Sequence, residues 1–322
     1  MAYMPKFLAS FVGAATLAVT ALVSPAQAWQ PVKPVNFIIM AGAGGGADQI
    51  ARFLQSEIAK EHLMPRPLVP VNKGGGSGAE ALIAVKGAAD PNYTLLVTLN
   101  SFFTTPIRQP NLHIDVSTFT PIAMMGVDPF VLWVHKDSGI TTFEDWVKYV
   151  KAHPGYVVGG TGTGQEDSIV FAYLSSEFGL KFKYIPYKGG GTVAKELAGK
   201  QINATVNNPS EAKGFYQSGD VVPLIAFSDK RLAMLPNVRT MKEIGHDFSY
   251  YNQRAVVGAP GMSADAAAYY QSVFTKVYNS KAWQDYMASE SLSPLWMDTA
   301  QQKAYWQTQI KNHEKLMKML SN

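Results

Sequence analysis

The sequence predicts an α/β fold of two lobes, each a sheet flanked by helices, with a ligand cleft between them. Three observations carry this. Short apolar runs repeatedly end in glycine-rich turns that open helical patterns, the grammar of sheets with helices on their faces. The pattern comes in two series of roughly 100 residues, each the size of a domain. No low-complexity linker divides the series, so the chain is expected to cross between lobes more than once, near Val127 and near Tyr250. Lobe 1 is then expected to hold residues 29–127 plus 250–322, and lobe 2 residues 128–249.

The elements follow in order. Val35–Met40 reads as a buried strand that ends in Gly42-Ala43-Gly44-Gly45-Gly46, and Asp48 opens a helix to about Glu61. Arg66–Val71 is a second strand, Ala79–Lys86 a helix after Gly74–Gly78, and Tyr93–Thr98 a third strand. The second series starts with the strand Phe130–His135. Thr141 and Glu144 suit a capping box for a helix that stops before Pro154-Gly155. Strand Tyr156–Gly159 then runs into Gly160-Thr161-Gly162-Thr163-Gly164 and a helix from Asp167 to Phe178. Lys183–Pro186, Ile202–Val206 and Val222–Phe227 are strands, with a helix opened by Gly189-Gly190-Gly191. Ser263 caps a helix over Ala264–Asn279, and Thr299 one to about Leu320. The sheets are read as parallel.

The 322 residues are 47% hydrophobic and 16% charged, a composition that folds. The absence of Cys excludes disulfides, thiolate metal sites and cysteine nucleophiles. The six histidines are scattered without the spacing of a metal pair, so no metal site is expected. Net charge is +4 with no basic run, which argues against nucleic acid. Residues 1–28 hold one charge, Lys6, then an apolar stretch from Phe7 to Val23 and an Ala-x-Ala ending at Ala28. They read as a secretory signal peptide cleaved after Ala28, which makes the mature chain an exported one.

Three strand–turn–helix junctions, at 42–48, 159–168 and 187–195, are candidate anion sites. Helix N-termini carry free N–H groups and the positive end of the dipole, and glycine lets a ligand come close. The candidate ligand-binding residues are Ala43, Gly44, Gly45, Gly46 and Asp48 in the first loop, with Thr98, Asn100 and Ser101 after the third strand. Thr161, Gly162, Thr163, Gly164 and Ser168 supply the second-lobe loop, and Lys188, Asn207 and Asn208 the later turns. Phe102 is a candidate aromatic wall. A cleft lined by acids would contradict this arrangement. Gly42-x-Gly44-x-x-Ala47 matches a degenerate dinucleotide fingerprint, but the second strand ends at Val71-Asn72 without the acid that holds a ribose, so no cofactor is expected. Gly75-Gly76-Ser77-Gly78-Ala79 lacks the last glycine of a nucleophile elbow.

These landmarks together resemble the periplasmic solute receptors of tripartite tricarboxylate transporters, the Bug proteins. The resemblance rests on Ala43–Arg52, on Asn72 with Gly78-Ala79-Glu80, on Tyr93–Leu96 and on Gly160–Asp167. It extends to Tyr187–Gly191 and Val206-Asn207-Asn208-Pro209. It implies a periplasmic, non-enzymatic, monomeric, two-lobed receptor with a periplasmic-binding-protein fold. Such a receptor closes on a small organic carboxylate (di-, tri- or aromatic) and delivers it to a membrane permease. Many relatives carry Asp where Asn207 stands, so a purely anionic ligand is expected here. The alternative reading is an exported hydrolase or dehydrogenase-like enzyme acting on a small carboxylate, which needs a nucleophile or acid–base pair in the cleft.

Overall fold

A computed structural model describes Met1 and residues 29–321. Apart from Met1, the expected signal peptide lies outside the described residues. Strand β1 (Val35–Ile39) leads into α1 (Gly46–Lys60), β2 (Leu68–Asn72), α2 (Ala79–Lys86), β3 (Thr94–Thr98), α3 (Ser101–Arg108) and β4 (Thr120–Pro129). The chain then builds β5 (Val131–His135), α4 (Phe143–Ala152), β6 (Tyr156–Thr161), α5 (Glu166–Phe178) and β7 (Phe182–Tyr187). It continues through α6 (Gly190–Ala198), β8 (Ala204–Asn207), α7 (Pro209–Gln217) and β9 (Val221–Ala226). It ends with β10 (Tyr251–Gly258), α8 (Ala264–Tyr278), α9 (Lys281–Glu290) and α10 (Thr299–Met317).

Two five-stranded sheets result, β2-β1-β3-β10-β4 and β7-β6-β8-β5-β9. Each is sandwiched. Phe37 and Ile39 of β1 pack with Leu54, Phe274 and Trp283, while Ile38 and Met40 face Leu82, Phe102 and Trp306. In the second lobe Leu132 and Val134 of β5 join Trp146 and Phe171, and Val131 and Trp133 join Val193 and Leu197. Alternate residues of one strand thus feed two cores, which is why both strands are mostly apolar, broken only by the exposed Asn36 in β1 and the terminal His135 in β5.

The sheets are mixed rather than parallel. β10 pairs antiparallel with β3 and β4, and β5 antiparallel with β8 and β9. The reason is the crossing: the chain leaves the first sheet along β4, enters the second through β5, and returns from β9 into β10. The last helix belongs to both lobes. Tyr305, Trp306 and Ile310 pack on the first lobe, whereas Leu316, Met317 and Leu320 pack on the second. Two expected caps shift by one residue. Thr142, not Thr141, caps α4 by accepting from Asp145 N–H, and Asp298, not Thr299, forms a capping box with Gln301 on α10.

Candidate functional site

The first loop leaves β1 between β2 and β3, three parallel strands that send their C-terminal ends to one edge of the sheet. Gly44 has φ +78°, a conformation glycine adopts without strain. Its N–H donates to Asp48 Oδ2 at 2.9 Å, and Asp48 Oδ1 accepts from Arg52 Nε and Asn72 Nδ2, both at 2.9 Å. Burial alone would raise the Asp48 pKa. The bonds from Arg52, Gly44 and Asn72 outweigh it and hold the carboxyl below its usual range. Asp48 therefore braces the loop. The α1 N-terminus has Gly45 as N-cap and no side-chain cap. Its Gly46 N–H donates instead to Glu211 Oε1 of the other lobe at 2.9 Å.

A second lobe 1 helix repeats the arrangement. Asn100 precedes α3, but its side chain is spent on the crossing strand: Nδ2 donates to Tyr251 O at 2.7 Å, and Oδ1 accepts from Gln253 N–H at 3.0 Å. The α3 N-terminus again has no side-chain cap of its own. Ser101 N–H donates to Glu166 Oε1, the first residue of α5 in lobe 2, at 2.6 Å.

Around these contacts the lobes meet. Ser77 Oγ donates to Thr163 O at 3.3 Å. A Cβ on Gly42 would stand 2.5 Å from Lys188 O, and one on Gly191 would stand 2.7 Å from Gly44 O, so glycine is what lets these backbones touch. The cavity left between the lobes is about 30 Å³, room for a water molecule or two. It is lined by Gly45, Gly46, Thr161, Glu166, Asp167, Lys188, Asn208, Glu211 and Arg254, among others.

This interior is acidic, contrary to the sequence expectation of an acid-free cleft. Asp128, Glu166 and Asp167 are buried and Glu211 is half-buried, with the buried Arg254 guanidinium paired to Asp128. Arg254 donates through Nε to Asp128 Oδ2 at 3.1 Å and through Nη2 to Asn208 Oδ1 at 2.9 Å. Burial pushes Asp128 up to about 6 despite Arg254, Glu211 up to about 7 and Asp167 up to about 8, and it also raises Glu166. Arg254 Nη1 and Asp128 Oδ1 have no partner among the described residues. The argument that Asn207 makes the site purely anion-selective also fails, because the acids arrive from other positions. The Asn207 side chain is buried and holds Gly190 O at 2.9 Å.

Several candidate residues do not reach the cavity. Phe102 is buried against Phe103, Phe119 and Trp306, so it is core and not a ligand wall. Thr98 donates to Ala255 O, and Asn100 is bonded to β10. Ser168 Oγ stays inside its own loop, accepting from Gly164 N–H and donating to Gln165 O. Glu211, Asp128 and Asn252 were missed. Glu211 carries a readable signal, since Asn208-Pro209-Ser210-Glu211 has capping-box spacing, and that box forms. A larger cavity of about 960 Å³ lies beside Tyr251, Met287 and Leu316. Tyr251 faces it, whereas Asn252 and Arg254 line the cleft, so β10 forms part of the wall between the two.

Comparison with known proteins now bears on this geometry. The profile described as tripartite tricarboxylate transporter family receptor matches residues 50–321. A protein of Cupriavidus necator, "UPF0065 protein in gbd 5'region", is 25% identical over 313 residues, 96% of this chain and 95% of its own. BugT of Bordetella pertussis is 24% identical over 273 residues, 82% of each chain. Among solved structures, the periplasmic binding protein BugD superposes with a TM-score of 0.85 at 24% identity, over 90% of this chain and 98% of its own. MatC from Rhodopseudomonas palustris with bound malate superposes at 0.82 with 20% identity, over 89% of this chain and 99% of its own. With its two lobes, its paired sheets and a family match over most of its length, the chain belongs to the tripartite tricarboxylate transporter family of receptors.

Proposed function

We propose that this protein is an exported periplasmic receptor that captures a small organic carboxylate between its lobes and hands it to a membrane permease. It acts as a monomer, without catalysis, after loss of residues 1–28. One observation carries the reading. The uncapped N-terminus of α1 lines the cleft and holds Glu211 on Gly46, and the uncapped N-terminus of α3, beside the cleft, holds Glu166 on Ser101, both at hydrogen-bond distance. A site that binds these side-chain carboxylates has the donors for a free one. The acids do not forbid an anion: burial raises the Asp167 carboxyl to about 8, so it carries little charge at neutral pH, and Arg254 offsets Asp128. The ligands named for similar structures, malate and adipate, are of this class. No histidine lines the cleft among the described residues, so an acid–base pair for the enzyme reading would have to come from the carboxyls and Lys188.

Three or four charge-assisted hydrogen bonds at ~1.5–3 kcal/mol each support roughly micromolar affinity. The test is calorimetric titration of unfolded, dialysed and refolded protein with a panel of mono-, di-, tri- and aromatic carboxylates, followed by product analysis. Saturable binding of at least one member, recovered unchanged, is expected. Binding of none, or conversion of the bound compound, overturns the reading.

A further inference from the structure

Two lobe 1 helices, α1 at the cleft and α3 beside it, lack a cap of their own and take one from the opposite lobe. Glu211 does this while serving a second role, since its Oε2 accepts from Asn208 N–H in the α7 capping box at 3.3 Å. One side chain therefore ties the start of α7 to the start of α1. With both carboxylates in place, the remaining 30 Å³ admits no organic ligand. Beneath Gly46 lies Arg254, close enough that a Cβ on Gly46 would collide with Nη2. This guanidinium is buried, and its Nη1 has no partner among the described residues, so the cation lying against Gly46 keeps one donor to spare.

We propose that Glu211 and Glu166 are internal stand-ins for the carboxylates of the ligand: they hold the empty receptor shut, and the ligand enters by displacing them. The identity of the displacing ligand rests on the carboxylate reading above; the self-closure does not. Two stand-ins on two helix ends make a dicarboxylate the fitting competitor. One molecule then replaces both contacts, whereas a monocarboxylate replaces one and leaves the other Glu in place.

The test uses protein refolded from denaturant in Tris buffer free of carboxylates. Small-angle scattering is recorded for the wild type, E211A, E166A and the double variant, with amide exchange at Gly46 and Ser101 in the wild type. Succinate and butyrate are then titrated into each. The wild type is expected near the ~19 Å radius of gyration of a compact chain of this size, with both amides protected. The double variant is expected to expand, and to bind succinate at least ~10-fold more tightly than the wild type does, with a smaller gain for butyrate. A double variant with the wild-type radius, or unprotected Gly46 and Ser101 amides in the wild type, overturns the proposal. If loss of the α7 cap unfolds E211A, the E211Q/E166Q pair and wild-type exchange decide the matter. If no variant binds either acid but the double variant still expands, self-closure stands and the carboxylate reading falls.

Discussion

Replacing His313 by glutamine should flatten the acid limb of this protein's stability curve. His313 sits in α10 where that helix passes from one lobe to the other. Its ring is 1% exposed and stacks on Phe103 with centroids 5.6 Å apart. Nδ1 lies 2.8 Å from Gln309 O, a partner that can only accept, so the proton is assigned to Nδ1, and Nε2 accepts from the Tyr250 hydroxyl at 3.2 Å. A second proton on Nε2 would be buried and would face the hydroxyl hydrogen. Burial accordingly pushes the His313 imidazole down to about 4, against a weaker opposing pull from Gln309. The folded pKa is depressed below the unfolded value of 6.5, so the unfolded chain takes up the proton first as pH falls. Stability is lost between pH 6.5 and 4, by ~3 kcal/mol at ~1.4 kcal/mol per unit. Urea denaturation of the wild type and H313Q at half-unit steps from pH 7.5 to 4 isolates this contribution, because the other titrating groups cancel in the difference. A difference that shrinks by ~2–3 kcal/mol towards pH 4 is expected. Parallel curves would refute the reasoning.

Three further predictions concern the cleft and its walls. F102A should cost ~3–5 kcal/mol of stability by denaturant unfolding while leaving relative affinities among carboxylates unchanged, since Phe102 packs in the core; altered ligand selectivity would put it back in the site. R254M should destabilise by ~3–5 kcal/mol because it strands the buried Asp128 carboxylate, and the R254M/D128N pair should lose less than R254M alone; equal losses would mean the ion pair is not coupled. The buried carboxyls act in the sense opposite to His313. Their folded pKa values, about 7 for Glu211 and about 8 for Asp167, lie above the unfolded ones, so they oppose folding increasingly as pH rises towards 8. D167N should hold its stability better than the wild type between pH 6 and 9, and an identical alkaline decline in both would contradict the assignment.

Much of the scaffold was legible because it follows from periodicity and punctuation. Phe37–Ile39 is apolar on both faces because both faces are covered there, Asn36 alone standing exposed, and the glycine turns that follow strands do open helices. The crossing strands were not legible. β4 carries Pro121, Gly126 and Pro129, and β10 buries Asn252, Gln253 and Arg254 in succession, so neither reads as a strand of a core. α3 is one short helix interrupted by Pro106, and α7 begins at a proline that reads as a loop. In the site, the donor half was readable from glycine and helix-start chemistry. The acceptor half was not, because Glu166 and Glu211 look like ordinary first-turn acids that favour the dipole of their own helices. Only the tertiary fold brings them onto the helices of the other lobe.

The most direct measurement is a crystal structure of the protein with the carboxylate that binds best in the calorimetric panel. The account predicts one ligand carboxylate accepting from Gly46 N–H, with Glu211 swung away and the lobes still closed around the ligand. A ligand lodged instead in the larger cavity beside Tyr251 and Met287, with Glu211 still on Gly46, would contradict it.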